Sequence, residues 1–317
     1  MKNKVYTEQE IENKRKLSLI FYIVMLVLII MVMIMMFLLK LEIIYVTIFA
    51  IGITICFAIA TLLKFHIQPH LSELLINKIS TSSNVNKIEY SQKAGIPEKY
   101  FKQANFISKY VKYHSFDFVA SNIQNKDFLF AGVSVKDKSK TSNTGELKTI
   151  FYGTFGITDF ATETPIDMII APDLNNKVLN VLSEDFKKAI GVNRKIVRLE
   201  NQEFERFFEV YSEDQVAARK IITLTFMEKM VEFRNLMKKN ITLIYKNNKI
   251  YFFIEDKLIL NTTKLYLKGV TDEIIEEATH FMNLIADIVN RSCYFERRVD
   301  LGMSIKSLKS VLYEIIV

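Results

Sequence analysis

Three polar residues are the candidates for chemistry in this chain: Asp159, Asp214 and Arg219. Asp214 and Arg219 lie around one helix start, where an acid and a guanidinium either bind a ligand or pair with each other. Pairing or a surface role is the expected use, and ligand binding the sharper alternative. His66, His70 and Glu73 fall on one helical face at i, i+4 and i+7, the outline of a partial metal site. Pro69 interrupts that pattern, so a solvated face is expected instead. Glu276, Glu277 and His280 give a single ExxH, whereas a di-iron site needs matching ligands from other helices. Gly153 and Gly156 lack the Lys-Ser or Lys-Thr that completes a phosphate loop, so close backbone packing or a bulge is the better account. A nucleophile elbow, HExxH, paired CxxC and the kinase signatures are all missing from the sequence. No catalytic, cofactor-binding or metal-binding residue is therefore assigned, and a non-enzymatic role is expected.

The elements that must position these residues divide sharply by composition. The chain has 317 residues, half of them hydrophobic, with 24 Phe and only 13 Gly and Pro together (9 and 4). That excludes collagen-like and low-complexity chains and points to a real core. Two cysteines exclude a disulfide framework. The hydrophobic excess is concentrated in residues 1–64. Leu17 to Leu39 carry no charge, bounded by Lys14-Arg15-Lys16 and Lys40, and Ile43 to Leu63 form a second run between Glu42 and Lys64. Each matches the roughly 20 residues that cross a bilayer. The first run is too long for a signal peptide and lacks an Ala-x-Ala exit. Thr7 with Glu10 fits a capping box, so the first helix begins near Glu8.

Lys2, Lys4, Lys14, Arg15 and Lys16 precede the first span, against Lys40 alone in the turn. The positive-inside rule puts the N-terminus in the cytoplasm, and two spans return the C-terminus to the same side. A cell-membrane protein with both termini cytoplasmic is expected. The second span carries Ala50, Thr54 and Ala58 on one four-residue spacing and Gly52, Cys56 and Ala60 on another. Small residues so spaced let helices approach, within the hairpin or between copies, so a homo-oligomer is an open alternative. Neither span holds a central ionisable residue, which argues against conduction.

Residues 65–97 read as a juxtamembrane helix kinked near Pro69, with Ser80 to Asn84 as linker; residues 98–317 read as the cytoplasmic domain. A helix is expected from Glu98 to Tyr110, then short strands from Val111 to Ile170. Asn180 to Ala189 reads as a helix, Ile196 to Leu199 as a strand and Glu200 to Phe208 as a helical turn. Ser212 with Gln215 and Thr225 with Glu228 match capping boxes. Ile241 to Ile254 reads as a hairpin around Asn247-Asn248, because Asn tolerates positive φ. Thr271 opens the last long helix. The fold class is α+β: a two-span transmembrane hairpin followed by a mixed domain with antiparallel strands.

The run Leu199-Glu-Asn-Gln-Glu-Phe-Glu-Arg-Phe-Phe-Glu-Val-Tyr-Ser-Glu-Asp-Gln-Val-Ala-Ala-Arg219 resembles a bacterial family of N-terminally membrane-anchored proteins, catalogued as a domain of unknown function with the pattern LExxxFExxFxVYSxDQxxAR. Ile150 to Phe160, ending near Ala171-Pro-Asp173, and the Ile241 to Ile254 hairpin share the resemblance. It implies architecture and a bacterial source but supplies no catalytic residues. Of the string itself, Phe204, Phe207, Phe208, Val210 and Tyr211 are expected in the core.

Of the net charge of +7, residues 1–64 carry +3, and the mild excess of about +4 on the rest suits an anionic membrane surface better than nucleic acid, which needs a dense basic stripe. Arg291, Arg297, Arg298, Lys306 and Lys309 near the end are a candidate membrane-facing or partner-facing patch, with a solvated face the expected use. The leading expectation is a scaffold or binding domain at the inner membrane, with the bilayer, a protein or an anionic lipid as partner. An enzyme of unrecognised type, acting on a cytoplasmic or lipid substrate through Asp159, Asp214 and Arg219, is the alternative.

Overall fold

The computed structural model describes residues 6–34, 36, 43–82, 85–107, 109–123, 126–138, 146–160, 166–173, 195–258 and 260–292. The expected helix at Asn180 to Ala189, the turn at Lys40 and the basic residues 297–309 lie outside them. The chain forms two compact units: residues 1–78 with 260–275, and residues 79–259 with 276–317.

The first unit is helical. Helix α1 (Glu8–Ile34) starts at the capping box read from sequence: the Glu10 amide donates to Thr7 Oγ1 at 3.2 Å and the Thr7 amide to Glu10 Oε2 at 2.9 Å. Helix α2 (Ile43–Ser82) runs unbroken through Pro69 and past the expected linker start at Ser80. A proline inside a helix gives up one backbone hydrogen bond; Ile67, Leu71 and Leu75, one helical face around it, are buried and outweigh that loss. Both helices are long and apolar enough to cross a membrane. Their apolar side chains face outward, Met33 being 65 % and Leu62 70 % exposed. Such surface is what a lipid-facing helix presents.

The second unit is built on an antiparallel sheet with the order β1-β2-β3-β4-β9-β8-β5-β7-β6 among the described residues. The strands are β1 (Val85–Ser91), β2 (Lys112–Ile123), β3 (Lys126–Lys138), β4 (Leu147–Asp159), β5 (Met168–Pro172), β6 (Lys195–Ile196), β7 (Phe208–Ser212), β8 (Ile241–Lys246) and β9 (Lys249–Glu255). Asn247 and Asn248 turn β8 into β9 at φ 51° and 55°, as their side chains permit. The glycines of β4 serve packing. A Cβ on Gly153 would lie 2.0 Å from the Ile254 carbonyl oxygen, and one on Gly156 2.7 Å from the Phe130 ring.

Side chains alternate between two buried faces. On one, Val133, Val135, Phe151, Phe155 and Phe253 meet Phe101 of helix α3 (Glu98–Ala104), which ends sooner than expected at left-handed Asn105. On the other, Phe130 packs edge-on to Phe281, which also meets Phe233. Phe281 belongs to α8 (Asp272–Ser292) and Phe233 to α6 (Leu224–Met237). Helix α4 (Gln202–Phe207) precedes β7, and α5 (Gln215–Ile221) follows it. Helix α7 (Thr262–Lys268) belongs to the first unit.

Candidate functional site

Strand β2 carries a bulge. Phe116 pairs with Gly132 and Val119 with Phe130, so Asp117 and Phe118 face the single residue Ala131. Asp117 takes φ 54°, the left-handed region that Asp tolerates better than most residues. The extra residue lets Phe118 return to the face that packs on Phe101, while Phe116 lies on the opposite one. Gly132 makes room for that ring: a Cβ there would stand 2.6 Å from Phe116.

The result is an aromatic row running from β2 to β4. His114 stacks on Phe116 at 5.5 Å between centroids, and Phe116 on Tyr152 at 6.3 Å. Tyr152 is 42 % exposed, whereas Asp117 is only 9 % exposed. Tyr90 of β1 donates its hydroxyl to Asp117 Oδ1 at 2.9 Å. Burial pushes the Asp117 carboxyl above the usual carboxylate range, and the Tyr90 bond opposes this. Burial, then the Asp117 charge, raises the Tyr152 phenol. An aromatic shelf beside a poorly solvated carboxyl can stack a flat or apolar group and exchange a hydrogen bond with a donor attached to it. Sequence reasoning passed over Asp117, because a bulge shows itself only in the pairing register.

The three residues singled out from sequence lie elsewhere. Asp159, at the end of β4, forms an ion pair with Lys249 and is exposed. Asp214 is the N-cap of α5, accepting from the Val216 and Ala217 amides at 2.9 Å. It takes the capping role expected of Ser212, whose hydroxyl lies instead within reach of the Asp214 and Asp167 carbonyls, at 3.1 and 3.3 Å. Arg219 is bonded to Gln215 Oε1 at 3.3 Å and to the Arg198 carbonyl at 3.4 Å. Asp214 and Arg219 thus share one short helix with separate partners, and Asp159 stands with Lys249. The second expected box is also displaced: Thr223, not Thr225, caps α6.

His70 lies 3.3 Å from Glu73, while His66 bonds the Tyr6 hydroxyl at 3.0 Å. Glu277 pairs with Lys257 at 2.5 Å, and His280 faces Glu232 at 3.7 Å. Among the described residues, no three His, Cys, Asp or Glu side chains converge to hold a metal ion. The two small-residue rows of α2 face different ways. Ala50, Thr54 and Ala58 are exposed, while Gly52 and Cys56 are half-buried and Ala60 is buried.

In the first unit Arg15 is 6 % exposed. Its Nη1 donates to the Tyr266 and Leu267 carbonyls of α7 at 3.0 and 2.8 Å, while Nε and Nη2 grip Glu12 at 2.7 and 2.6 Å. Ser18 gives its one proton to the Ala60 carbonyl at 2.9 Å, so the Tyr266 hydroxyl, 2.6 Å away, donates to Ser18.

Such a chain is an α+β protein carrying a pair of membrane-spanning-length helices. Residues 149–291 match the family described as "Protein of unknown function (DUF3137)". The segment Leu199 to Arg219 lies within that stretch. No match to the chain was found among curated proteins. The crystal structure of the mycobacterial trehalose monomycolate transport factor A, TtfA, aligns with 68 % of this chain and 95 % of that one. At 9 % identity and a TM-score of 0.31 the likeness carries no argument about function.

Proposed function

We propose that the protein is a membrane-anchored binding module whose α+β domain faces the cytoplasm and recognises a partner at the inner membrane through the Phe116–Tyr152 shelf. The observation that carries this reading is the exposed Tyr152 ring beside a carboxyl that is 9 % exposed. Exposed aromatic rings next to desolvated polar groups are what recognition surfaces use. The basic residues before the first span support the cytoplasmic orientation. An enzymatic reading through Asp159, Asp214 and Arg219 has less support, since Asp214 is engaged as a helix cap and Asp159 in an ion pair.

A photo-crosslinking amino acid at Tyr152 of the full-length protein in cells tests the shelf. A discrete adduct that disappears with Phe116→Ala is the expected result. Absence of an adduct at 152, while the same amino acid at exposed Val216 gives one, would move recognition off the shelf. A reporter active only in the cytoplasm, fused after Val317, tests the orientation and is expected to be on.

A further inference from the structure

We propose that α7 is a third membrane contact, an interfacial helix that puts Leu267 at the acyl boundary and Lys264 and Lys268 among the phosphates of anionic lipids. The inference rests on α1 and α2 spanning the bilayer, and it concerns a segment some 200 residues later in the chain.

Depth is set by hydrogen bonds. Ser18 is the second residue of the uncharged run that begins at Leu17, and Ala60 lies one turn before Lys64, which closes the other run. The start of one span and the end of the next belong to the same leaflet. Tyr266 is bonded to Ser18 at 2.6 Å, and Ser18 in turn to the Ala60 carbonyl. Tyr266 is thereby held level with the first apolar turn of α1, at the border where tyrosine, apolar in its ring and polar at its tip, is favoured.

The neighbours of Tyr266 suit the same border. Leu267, the next residue, is 59 % exposed, and Phe65 of α2 is exposed as well. Apolar side chains on the surface at this depth meet lipid. Lys264 and Lys268 lie on the same short helix, and Lys64 Nζ stands 5.3 Å from the Tyr266 ring centroid. Lysine stems lie along apolar surface while their ammonium groups reach the phosphate layer. Lys268 pairs with Glu273 at 3.6 Å, and an exposed pair of that length holds the ammonium only weakly. Arg15 fixes the arrangement by donating to the Glu12 carboxylate and to the carbonyls of Tyr266 and Leu267 at the end of α7.

Full-length protein lacking Cys56 and Cys293, labelled with an environment-sensitive fluorophore at Leu267→Cys or Ile30→Cys, is reconstituted in phosphatidylcholine and phosphatidylglycerol vesicles. The lipids carry a spin label at a shallow or a deep acyl position. The Leu267 probe is expected to be quenched more by the shallow label and the Ile30 probe by the deep one. Quenching of the Leu267 probe by aqueous iodide alone, with Ile30 quenched by lipid, would overturn the proposal. An Ile30 probe untouched by lipid would instead overturn the spanning reading beneath it. With the shallow label carried on phosphatidylglycerol, quenching at Leu267 is expected to be about twofold stronger than on phosphatidylcholine, and equal in Lys264→Gln/Lys268→Gln. Equal quenching by both headgroups before substitution would remove the lysines from the proposal.

Discussion

Arg15 and Tyr266 are 251 residues apart, yet the guanidinium of one donates to the main-chain carbonyl of the other at 3.0 Å. A second bond to Leu267 and a bidentate grip on Glu12 use three of the four other N–H donors on the fork. The helix α7 carbonyls carry the negative end of its dipole, so a cation there is favoured twice. Read from sequence, Arg15 is one of several basic residues before a span. Folded, it holds α7 against the hairpin.

Arg15→Met removes all four bonds, leaves two carbonyls without this donor and leaves Glu12 to Lys16, 3.5 Å away. The expected loss is about 3 kcal/mol, seen as a lower Tm of the full-length protein in detergent. Arg15→Lys is expected to recover only part of it, because an ammonium cannot fork between Glu12 and the two carbonyls. Tyr266→Phe, which removes one hydroxyl bond, is expected to cost about 1 kcal/mol. Full rescue by lysine would mean that charge alone matters.

Asp117 predicts a pH dependence. Burial raises its carboxyl above the unfolded value, so between the two pKa values the folded state binds more protons than the unfolded one. Stability from this group is therefore complete below the unfolded pKa and is lost as pH rises through the folded one. Asp117→Asn keeps a side chain suited to positive φ and has no proton to lose. It is expected to raise Tm at pH 7 to 8, with the advantage over the native protein shrinking towards pH 4. Glu255, which burial also raises, acts with the same sign in both proteins and cancels from the comparison. An advantage that stays constant with pH would contradict the assignment.

The two glycines of β4 predict a ranking. Gly153→Ala drives a methyl group to 2.0 Å from a backbone oxygen of β9, and only separation of the strands relieves it. A loss of about 4 kcal/mol or more is expected, in the exceptional range for one substitution. Gly156→Ala meets the Phe130 ring at 2.7 Å, and a ring can shift. About 1–3 kcal/mol is expected there. Thermal unfolding of the two variants checks the order, and the reverse order would mean that β4 and β9 are not paired as described.

Those glycines also mark how far the sequence could be read. Their three-residue spacing without a phosphate-loop lysine already implied close packing or a bulge, and the apolar runs between charged residues implied the two long helices. The Asn247-Asn248 turn and the Thr7–Glu10 box followed from short-range chemistry, which a sequence displays directly. Competition between neighbours was harder. Ser212 and Asp214 can both cap a helix, as can Thr223 and Thr225, and the choice depended on where β7 and α6 pack. Helix α2 passes Pro69 and Ser80 because buried Ile67, Leu71 and Leu75 outweigh two local breakers. The Asp117 bulge and the Arg15–Tyr266 bond are matters of register and distant contact, and no local pattern announces them.

The two small-residue rows of α2 separate packing within the hairpin from packing between copies. Ala60 is fully buried and its carbonyl accepts from Ser18 at 2.9 Å, so Ala60→Leu must push the helices apart. A fall in stability of about 1–3 kcal/mol is expected. Ala58, two residues earlier, is exposed with Ala50 and Thr54 on the other row. Ala58→Leu is expected to leave Tm unchanged and to weaken self-association, because bulk on an outward small-residue face keeps a second helix at a distance. Thermal unfolding and the mass of the detergent-solubilised protein, measured on both variants, distinguish the two roles. An unchanged mass in Ala58→Leu would remove that row as a contact between copies, while a lowered Tm would place it inside the hairpin.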